Sequence, residues 1–211
     1  MKDIIQLYLD IRNKIKKTQD DLQRDCNINQ GDVPSSSLSK IFNSATLAYE
    51  IFPNYHTIWR RTRGITQAET ERGKEENAQR VIEIQKTIFV SSMSSFEHVA
   101  KIYHQQKPNK LGKIKTRSGR IYLWNIMDKS MKKKIIYKKD FKLWDGLIEL
   151  RNSLVHNNAI AESNKTYNYP KCKLIFKKNK MVQGDLKLFP NLMDWMIASI
   201  ETWIRKIEGK K

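Results

Sequence analysis

The sequence predicts an all-α fold, a helical bundle with a small β-hairpin inserted before the last helix. Three observations predict it: apolar residues recur every three or four positions, long helix-favouring side chains dominate, and breakers are scarce, with eight Gly and five Pro. The apolar fraction is 39% and includes five Trp, eight Tyr and seven Phe, which is enough for a real core. We therefore expect a single domain over residues 1–211.

The first half of the chain predicts three helices. Residues 3–23 carry apolar side chains at helical spacing. A serine of the loop at 31–37 is expected to cap a second helix that begins near Leu38, and Pro53 is expected to end or bend that helix. Residues 67–80 are almost wholly polar, and helical apolar spacing follows as far as Tyr103. We expect one long helix there, solvated in its first half and buried in its second.

The second half is expected to contain one hairpin among helices. Pro108 and Gly112 open a basic excursion over residues 107–121, which fits a loop or a short hairpin. The other expected elements are a short helix over 123–131, a helix over 141–156, a polar loop over 157–170, a hairpin over 171–184 with its turn at Lys178-Asn179, and a last amphipathic helix over 188–207 that Gly209 ends.

Positive charge is concentrated in one part of the chain. The net charge is +18, and the stretch from Lys101 to Lys142 holds fourteen Lys or Arg against two acids. Clustered positive charge attracts polyanions and favours a nucleic acid as the partner, although a solvated lysine-rich face is the simpler alternative. The side chains expected to contact RNA are Lys113, Lys115, Arg117 and Arg120.

Four aromatic residues interleave with this basic stretch: Tyr122, Trp124, Tyr137 and Trp144. Aromatic rings beside basic side chains can stack on unpaired bases. They can equally be core residues, and the helical pattern favours the core for Trp144.

Several function classes find no support in the sequence. Cys26 and Cys172 are far apart and form no CxxC spacing, and His56, His98 and His104 have no ligand spacing, so neither a disulfide framework nor a metal site is expected. There is no phosphate-binding glycine loop, and no cofactor is expected. The serines lie in no nucleophile elbow, so a serine hydrolase finds no support. The start reads as an amphipathic helix and no apolar run reaches bilayer length, so we expect a cytoplasmic protein without a membrane partner.

The helix over 141–156 carries the candidate chemistry. On a helical wheel, one broad apolar arc holds Phe141, Trp144, Leu147, Ile148, Leu154 and Val155. A polar line runs beside it through Asp145, Glu149, Asn152 and His156. Arg151 falls inside the apolar arc, where a permanent charge needs an anionic partner.

That partner is either a carboxylate of the protein or a phosphate that arrives. Glu97 on the long helix is the candidate for a buried ion pair, and a histidine at a helix C-terminus is often only a dipole partner. Grouped together, however, Arg151, Asn152 and His156 have the functions that RNA cleavage needs. A guanidinium holds phosphate oxygens, an amide orients a neighbour, and an imidazole transfers protons near neutral pH.

The run from Glu149 to Asn158, ELRNSLVHNN, resembles the signature of the HEPN superfamily. That signature is an arginine, a polar residue that is often asparagine, at least three further residues and a histidine; here four residues separate Arg151 from His156. The position late in a helical bundle, before a hairpin and one more amphipathic helix, is similar too. The resemblance covers about residues 38–207 and leaves the first helix and the basic excursion over 107–121 unassigned.

The resemblance implies a metal-independent endoribonuclease without a cofactor. Arg151 would bind and polarise the scissile phosphate, His156 would transfer a proton at the 2′-hydroxyl or at the leaving 5′-oxygen, and Asn152 would position one of them. Enzymes of this type leave a 2′,3′-cyclic phosphate and usually form homodimers with a composite active site. They are common in toxin–antitoxin and antiviral defence systems, so an antitoxin or a defence-complex partner is also implied.

Two other hypotheses remain open from the sequence. One is a catalytically silent module of this type that binds RNA or a partner, with salt-dependent binding and no cleavage. The other is a subunit of a larger complex in which Glu97 or a partner's carboxylate neutralises Arg151.

Overall fold

The computed structural model describes residues 1–116, 118–182 and 184–210. It confirms the all-α bundle with a small hairpin before the last helix. In chain order the elements are α1 (Lys2–Cys26), α2 (Val33–Arg61), α3 (Gln67–Gln106), α4 (Pro108–Leu111), α5 (Leu123–Lys132), α6 (Lys138–His156), β1 (Lys165–Asn168), β2 (Lys173–Phe176) and α7 (Leu188–Ile207).

The bundle is built around α3. Helices α1, α2, α3 and α7 pack in a ring of neighbours, and α5 and α6 cover the second half of α3. Phe96 of α3 stacks on Trp144 of α6, with ring centroids 4.8 Å apart, and meets Trp203 of α7 edge-on. All three side chains are fully buried, so large aromatic rings fix where α6 lies.

Helix α2 differs from its prediction at both ends. It begins at Val33 after the N-cap Asp32, so the serines lie inside its first turns and do not cap it. It also continues through Pro53 to Arg61. Proline removes one helical hydrogen bond, but packing on both sides holds the segment: Phe52 meets Tyr8 of α1, and Asn77 of α3 donates to the Tyr55 carbonyl.

Helices α3 and α7 follow their predictions. Helix α3 carries its first buried side chain at Asn77, so its first turns are solvated and its second half is buried. Helix α7 spans Leu188–Ile207, and Gly209 ends it with a positive φ of 78°. In the excursion over 107–121, the described residues form α4 and a loop and contain no strand.

The hairpin prediction was wrong in its pairing. Strand β2 pairs with β1, which lies inside the stretch expected to be a polar loop, and the connection runs through residues 169–172. The turn at Lys178-Asn179 does form, but it brings Met181 back to Ile160 instead of to β2. The alternation of β2 was recognised correctly, whereas its partner depends on packing against α6.

That packing depends on Gly146. A Cβ atom at Gly146 would lie 2.7 Å from Tyr167 Cγ and 2.8 Å from the Tyr169 hydroxyl oxygen, so the hairpin sits directly on the backbone of α6. Both tyrosines are buried.

We expect Gly146→Ala to destabilise the protein by about 1–3 kcal/mol, because the clash outweighs the better helix propensity of alanine. Urea unfolding measures this. The matched control is Gly31→Ala, where a Cβ meets nothing within 4 Å and the change should stay within about 0.5 kcal/mol. A more stable Gly146→Ala variant would show that the hairpin does not pack here.

Among the described residues, no helix combines the length and the apolar character that crossing a bilayer requires.

Candidate active site

Helix α6 places the three predicted residues on its last two turns. Its buried face consists of Trp144, Leu147 and Leu150, with Gly146 and Ser153 beside them. Val155, predicted on the apolar arc, is 46% exposed, because the helix end projects beyond the core. Arg151 and Asn152 face a cavity, and His156 lies in the final turn on the surface.

The Arg151 guanidinium is incompletely satisfied. Its Nη1 donates to Asn152 Oδ1 at 3.1 Å, and its Nε is buried and has no partner among the described residues. Glu97 Oε2 is 3.9 Å from Arg151 Nη2, close enough for electrostatic attraction but too far for a hydrogen bond. Glu97 instead binds Lys101 through Oε1 at 2.8 Å. The side chain of Arg151 is 27% exposed, so an anion can still reach it.

His156 stands apart from this pair. Its side chain is exposed and forms no hydrogen bond or ion pair with the described residues. It follows Asn152 by four residues, one helical turn, so the two share a helix face. The structure therefore brings Arg151 and Asn152 together at the cavity and leaves His156 beside it on the outer surface.

A tight reversal follows His156. Asn158 and Ala159 have φ values of 49° and 65°, and the Ala159 N–H donates to the Ser153 carbonyl at 2.8 Å. The chain thereby returns along α6, and the Asn157 amide donates to Glu162 Oε1 at 2.6 Å. A left-handed alanine is strained by about 1–2 kcal/mol, so this reversal is held by its surroundings.

Asp145 and Glu149, predicted on the polar line, anchor the hairpin. The Tyr167 hydroxyl lies 2.9 Å from Asp145 Oδ2 and 2.8 Å from Glu149 Oε2, and Lys165 also donates to Glu149 Oε2. Burial, followed by the hydrogen bonds to the two carboxylates, raises the pKa of Tyr167, so its hydroxyl remains a donor. The role of Tyr167 could not be recognised in the sequence, because strand pairing decides which α6 residues it meets.

A cavity of about 700 Å³ lies between α3, α5, α6 and the returning chain. Its carboxylates come from Glu97, Asp145, Glu149 and Glu162, and its cations from Arg151 and Lys165. Two exposed aromatic rings from the start of α5, Tyr122 and Trp124, also line it. The cavity thus combines a guanidinium with carboxylates and aromatic rings.

The four aromatic residues of the basic stretch have different places. Tyr122 and Trp124 line the cavity, and the Trp124 indole N–H donates to Asp145 Oδ1 at 3.0 Å. Tyr137 is exposed outside the cavity, with the Lys206 Nζ 4.4 Å from its ring centroid. Trp144 is fully buried, as its helical pattern predicted.

The basic side chains expected to contact RNA are exposed where the structure describes them. Lys113, Lys115 and Arg120 lie in the loop that leads to Tyr122 and form no ion pair with a described carboxylate. Arg117 lies outside the described residues.

Within residues 1–116, 118–182 and 184–210, no three His, Cys, Asp or Glu side chains are close enough to hold a metal ion together. His104 Nε2 is 3.1 Å from the Gly112 carbonyl oxygen, which ties α3 to the start of the basic loop. Cys26 and Cys172 are both free thiols.

Comparison with known proteins found no match for this chain among family models, curated proteins or solved structures.

Proposed function

We propose that this chain is a metal-independent endoribonuclease of the HEPN type, in which Arg151 binds the scissile phosphate. The observation that carries the proposal is the unmet hydrogen-bonding capacity of Arg151: a buried Nε without a partner among the described residues, and a carboxylate that remains 3.9 Å away. Leaving a buried donor unpaired costs about 1–3 kcal/mol. The side chain is 27% exposed, so a phosphate oxygen can reach the guanidinium and accept from Nη2, which forms no hydrogen bond to a described residue.

The proposed reaction uses the nucleophile that RNA itself supplies. The 2′-hydroxyl oxygen attacks the adjacent phosphorus, the bond from phosphorus to the 5′-oxygen breaks, and the products are a 2′,3′-cyclic phosphate and a 5′-hydroxyl. Arg151 stabilises the negative charge that builds on the phosphate oxygens. His156 either accepts the proton of the 2′-hydroxyl or protonates the leaving 5′-oxygen, and Asn152 positions Arg151 through their hydrogen bond.

A second copy of the chain would supply the other proton transfer. Cyclisation needs one group that accepts a proton and one that donates a proton, and each chain offers one histidine at this place. Exposed apolar side chains surround the end of α6, namely Val155, Ile160 and Met181, with Ile160 and Met181 paired in a β-bridge. Apolar surface beside His156 supports a homodimer in which the two α6 ends face one cleft.

The basic loop would guide the RNA strand. Lys113, Lys115 and Arg120 are exposed, and their chain segment ends at the cavity wall. We propose cytoplasmic RNA as the substrate, in a toxin–antitoxin or antiviral defence system, with an antitoxin or defence-complex partner that restrains the enzyme.

The product ends test this function. Purified protein is incubated with RNA in excess EDTA, and we expect cleavage that leaves 2′,3′-cyclic phosphate and 5′-hydroxyl ends. A substrate with a single 2′-deoxy nucleotide at the cut position is the control and should resist cleavage there, because its nucleophile is missing. Cleavage that requires a divalent ion, or that proceeds past the 2′-deoxy nucleotide, would contradict the mechanism.

A silent RNA-binding or partner-binding module is the second candidate. The position of His156 outside the cavity wall and without a hydrogen bond to Arg151 favours it. It predicts binding that weakens steeply with salt, by about 0.7 in log K per log salt for each single-strand phosphate contacted, and no cleavage.

A further inference from the structure

The cavity beside Arg151 contains chemistry that phosphate binding does not use. A phosphate needs cations and donors, such as Arg151 and Lys165, whereas the cavity also offers four carboxylates and two exposed aromatic rings. We propose that the cavity binds an unpaired nucleobase of the RNA strand next to the scissile phosphate, and that it selects guanine. This inference rests on the proposed function, which it deepens by naming the base that the same site recognises.

Two rings provide a stacking surface. Tyr122 is 52% exposed and Trp124 is 41% exposed, although large aromatic side chains are generally buried. The Trp124 ring is held on its edges, because its N–H donates to Asp145 and its centroid lies 5.7 Å from that of Phe141. An aromatic ring that is already fixed in place and partly exposed can stack on a base while losing little conformational entropy.

Glu97 provides the acceptor for the base edge. Lys101 holds its Oε1, while its Oε2 accepts no hydrogen bond from a described residue. Its side chain is only 18% exposed and lines the cavity. A half-used, partly desolvated carboxylate is a strong acceptor for donors on a ligand.

Two of the other carboxylates of the cavity, Asp145 and Glu149, are more fully engaged. Asp145 accepts from the Trp124 indole N–H, and Glu149 accepts from Ser163 and Lys165. The Tyr167 hydroxyl lies within hydrogen-bond distance of both acids and donates to one of them at a time. Asp145 and Glu149 therefore build the wall.

The third of these carboxylates, Glu162, is exposed and accepts from the Asn157 amide through Oε1. Glu97 differs from the exposed Glu162 because it is partly buried and still has a free oxygen that can recognise a ligand.

Guanine fits this acceptor better than the other bases. Its Watson–Crick edge carries the N1–H and the N2 amino group side by side, so it gives a carboxylate two donors. Adenine and cytosine offer one amino group beside an acceptor, and uracil offers one N–H between two carbonyl oxygens that a carboxylate repels. The expected order of binding is guanine first and uracil last.

Binding of mononucleotides tests the inference without any cleavage. GMP and UMP, which share the same phosphate, are titrated in EDTA into full-length wild-type protein by calorimetry. We expect GMP to bind at least about tenfold more tightly than UMP. Tyr122→Ala should weaken GMP binding about tenfold through lost stacking.

The matched control is Tyr137→Ala, which should bind GMP as wild type does. Both tyrosines are exposed and are the N-cap residues of helices, α5 and α6, but only Tyr122 lines the cavity. Glu97→Gln replaces one acceptor by a donor at nearly constant shape, so it should remove most of the difference between GMP and UMP. Equal binding of GMP and UMP to wild type, or Tyr122→Ala binding GMP unchanged, would overturn the base site.

Mapping of cut positions distinguishes a base within RNA from a free nucleotide. If the base belongs to the strand, cleavage falls next to unpaired guanines, GMP competes with RNA, and Tyr122→Ala loses the guanine preference. Cleavage without a base preference would overturn the inference and leave the ribonuclease standing. GMP binding of the expected pattern in a protein that cuts no RNA would assign the site to a free guanine nucleotide and overturn the strand assignment.

Discussion

His156→Ala is expected to reduce RNA cleavage by about 10²- to 10⁴-fold, the usual contribution of a positioned acid or base. RNA affinity and thermal stability should hardly change, since the imidazole is exposed and makes no hydrogen bond or ion pair with the described residues. Single-turnover cleavage in EDTA measures the chemical step, and binding to 2′-deoxy-substituted RNA measures affinity separately. A large loss of rate with unchanged affinity is the result that a proton-transfer role requires.

His98→Ala is the matched control for this variant. His98 is also exposed and lies on a helix, but it lines a separate small pocket beside the start of α2 and does not line the cavity. It should cut RNA at the wild-type rate. Equal cleavage by wild type and His156→Ala would mean that the activity comes from elsewhere, and the silent binding module would then be the better account of the chain.

The helices could be predicted from the sequence because each carries its own periodic signal. Helix α7 was predicted with the bounds it has, since its buried residues recur every three or four positions and Gly209 stops it. Helix α6 extends three residues further at its start than predicted, where Lys138, Lys139 and Asp140 carry no apolar signal. Apolar spacing thus located the helices, and the ends without such spacing were missed.

The pairing of the strands could not be predicted from the sequence, for a physical reason. Strand β2 has the burial pattern of a half-covered strand, but each of two neighbouring segments, 165–168 and the stretch after Asn179, offered a partner. Tertiary packing determines the partner of β2: the buried Tyr167 reaches Asp145 and Glu149 by passing over Gly146, where no side chain stands in its way. Local alternation does not contain that information.

The candidate site was predictable in part. Arg151, Asn152 and His156 could be placed on one helix end from spacing alone, and Arg151 was conspicuous as a charge on an apolar arc. The cavity needs residues from α3, α5, α6 and the reversed chain, which are far apart in sequence. Glu97, the ion-pair partner predicted for Arg151, does lie within ion-pair distance of it at 3.9 Å, but beyond hydrogen-bond distance.

Replacing Arg151 is expected to reduce cleavage nearly as much as replacing His156. Arg151→Ala removes the group that stabilises charge on the phosphate oxygens, and such losses amount to about 10²- to 10³-fold in rate. Arg151→Lys retains the charge but loses the planar fork that can hold two oxygens, so it should recover only part of the activity. Arg72→Ala is the control, because this arginine is 81% exposed on the solvated start of α3 and should leave the rate unchanged.

A third variant separates a structural from a functional arginine. Arg151→Met keeps the length and apolar stem of the side chain while it removes the charge and the buried Nε, which has no partner among the described residues. If Arg151 were a structural ion-pair partner of Glu97, its replacement would leave the partly buried Glu97 carboxylate with one cation fewer, and Tm would fall. If the arginine is held unsatisfied for a phosphate, the protein without it should be equally or more stable, yet inactive. A lower Tm with retained cleavage would reject the phosphate role. We expect an unchanged or raised Tm with lost cleavage, because the charge of Arg151 destabilises the folded protein and is useful only when it binds the transition state.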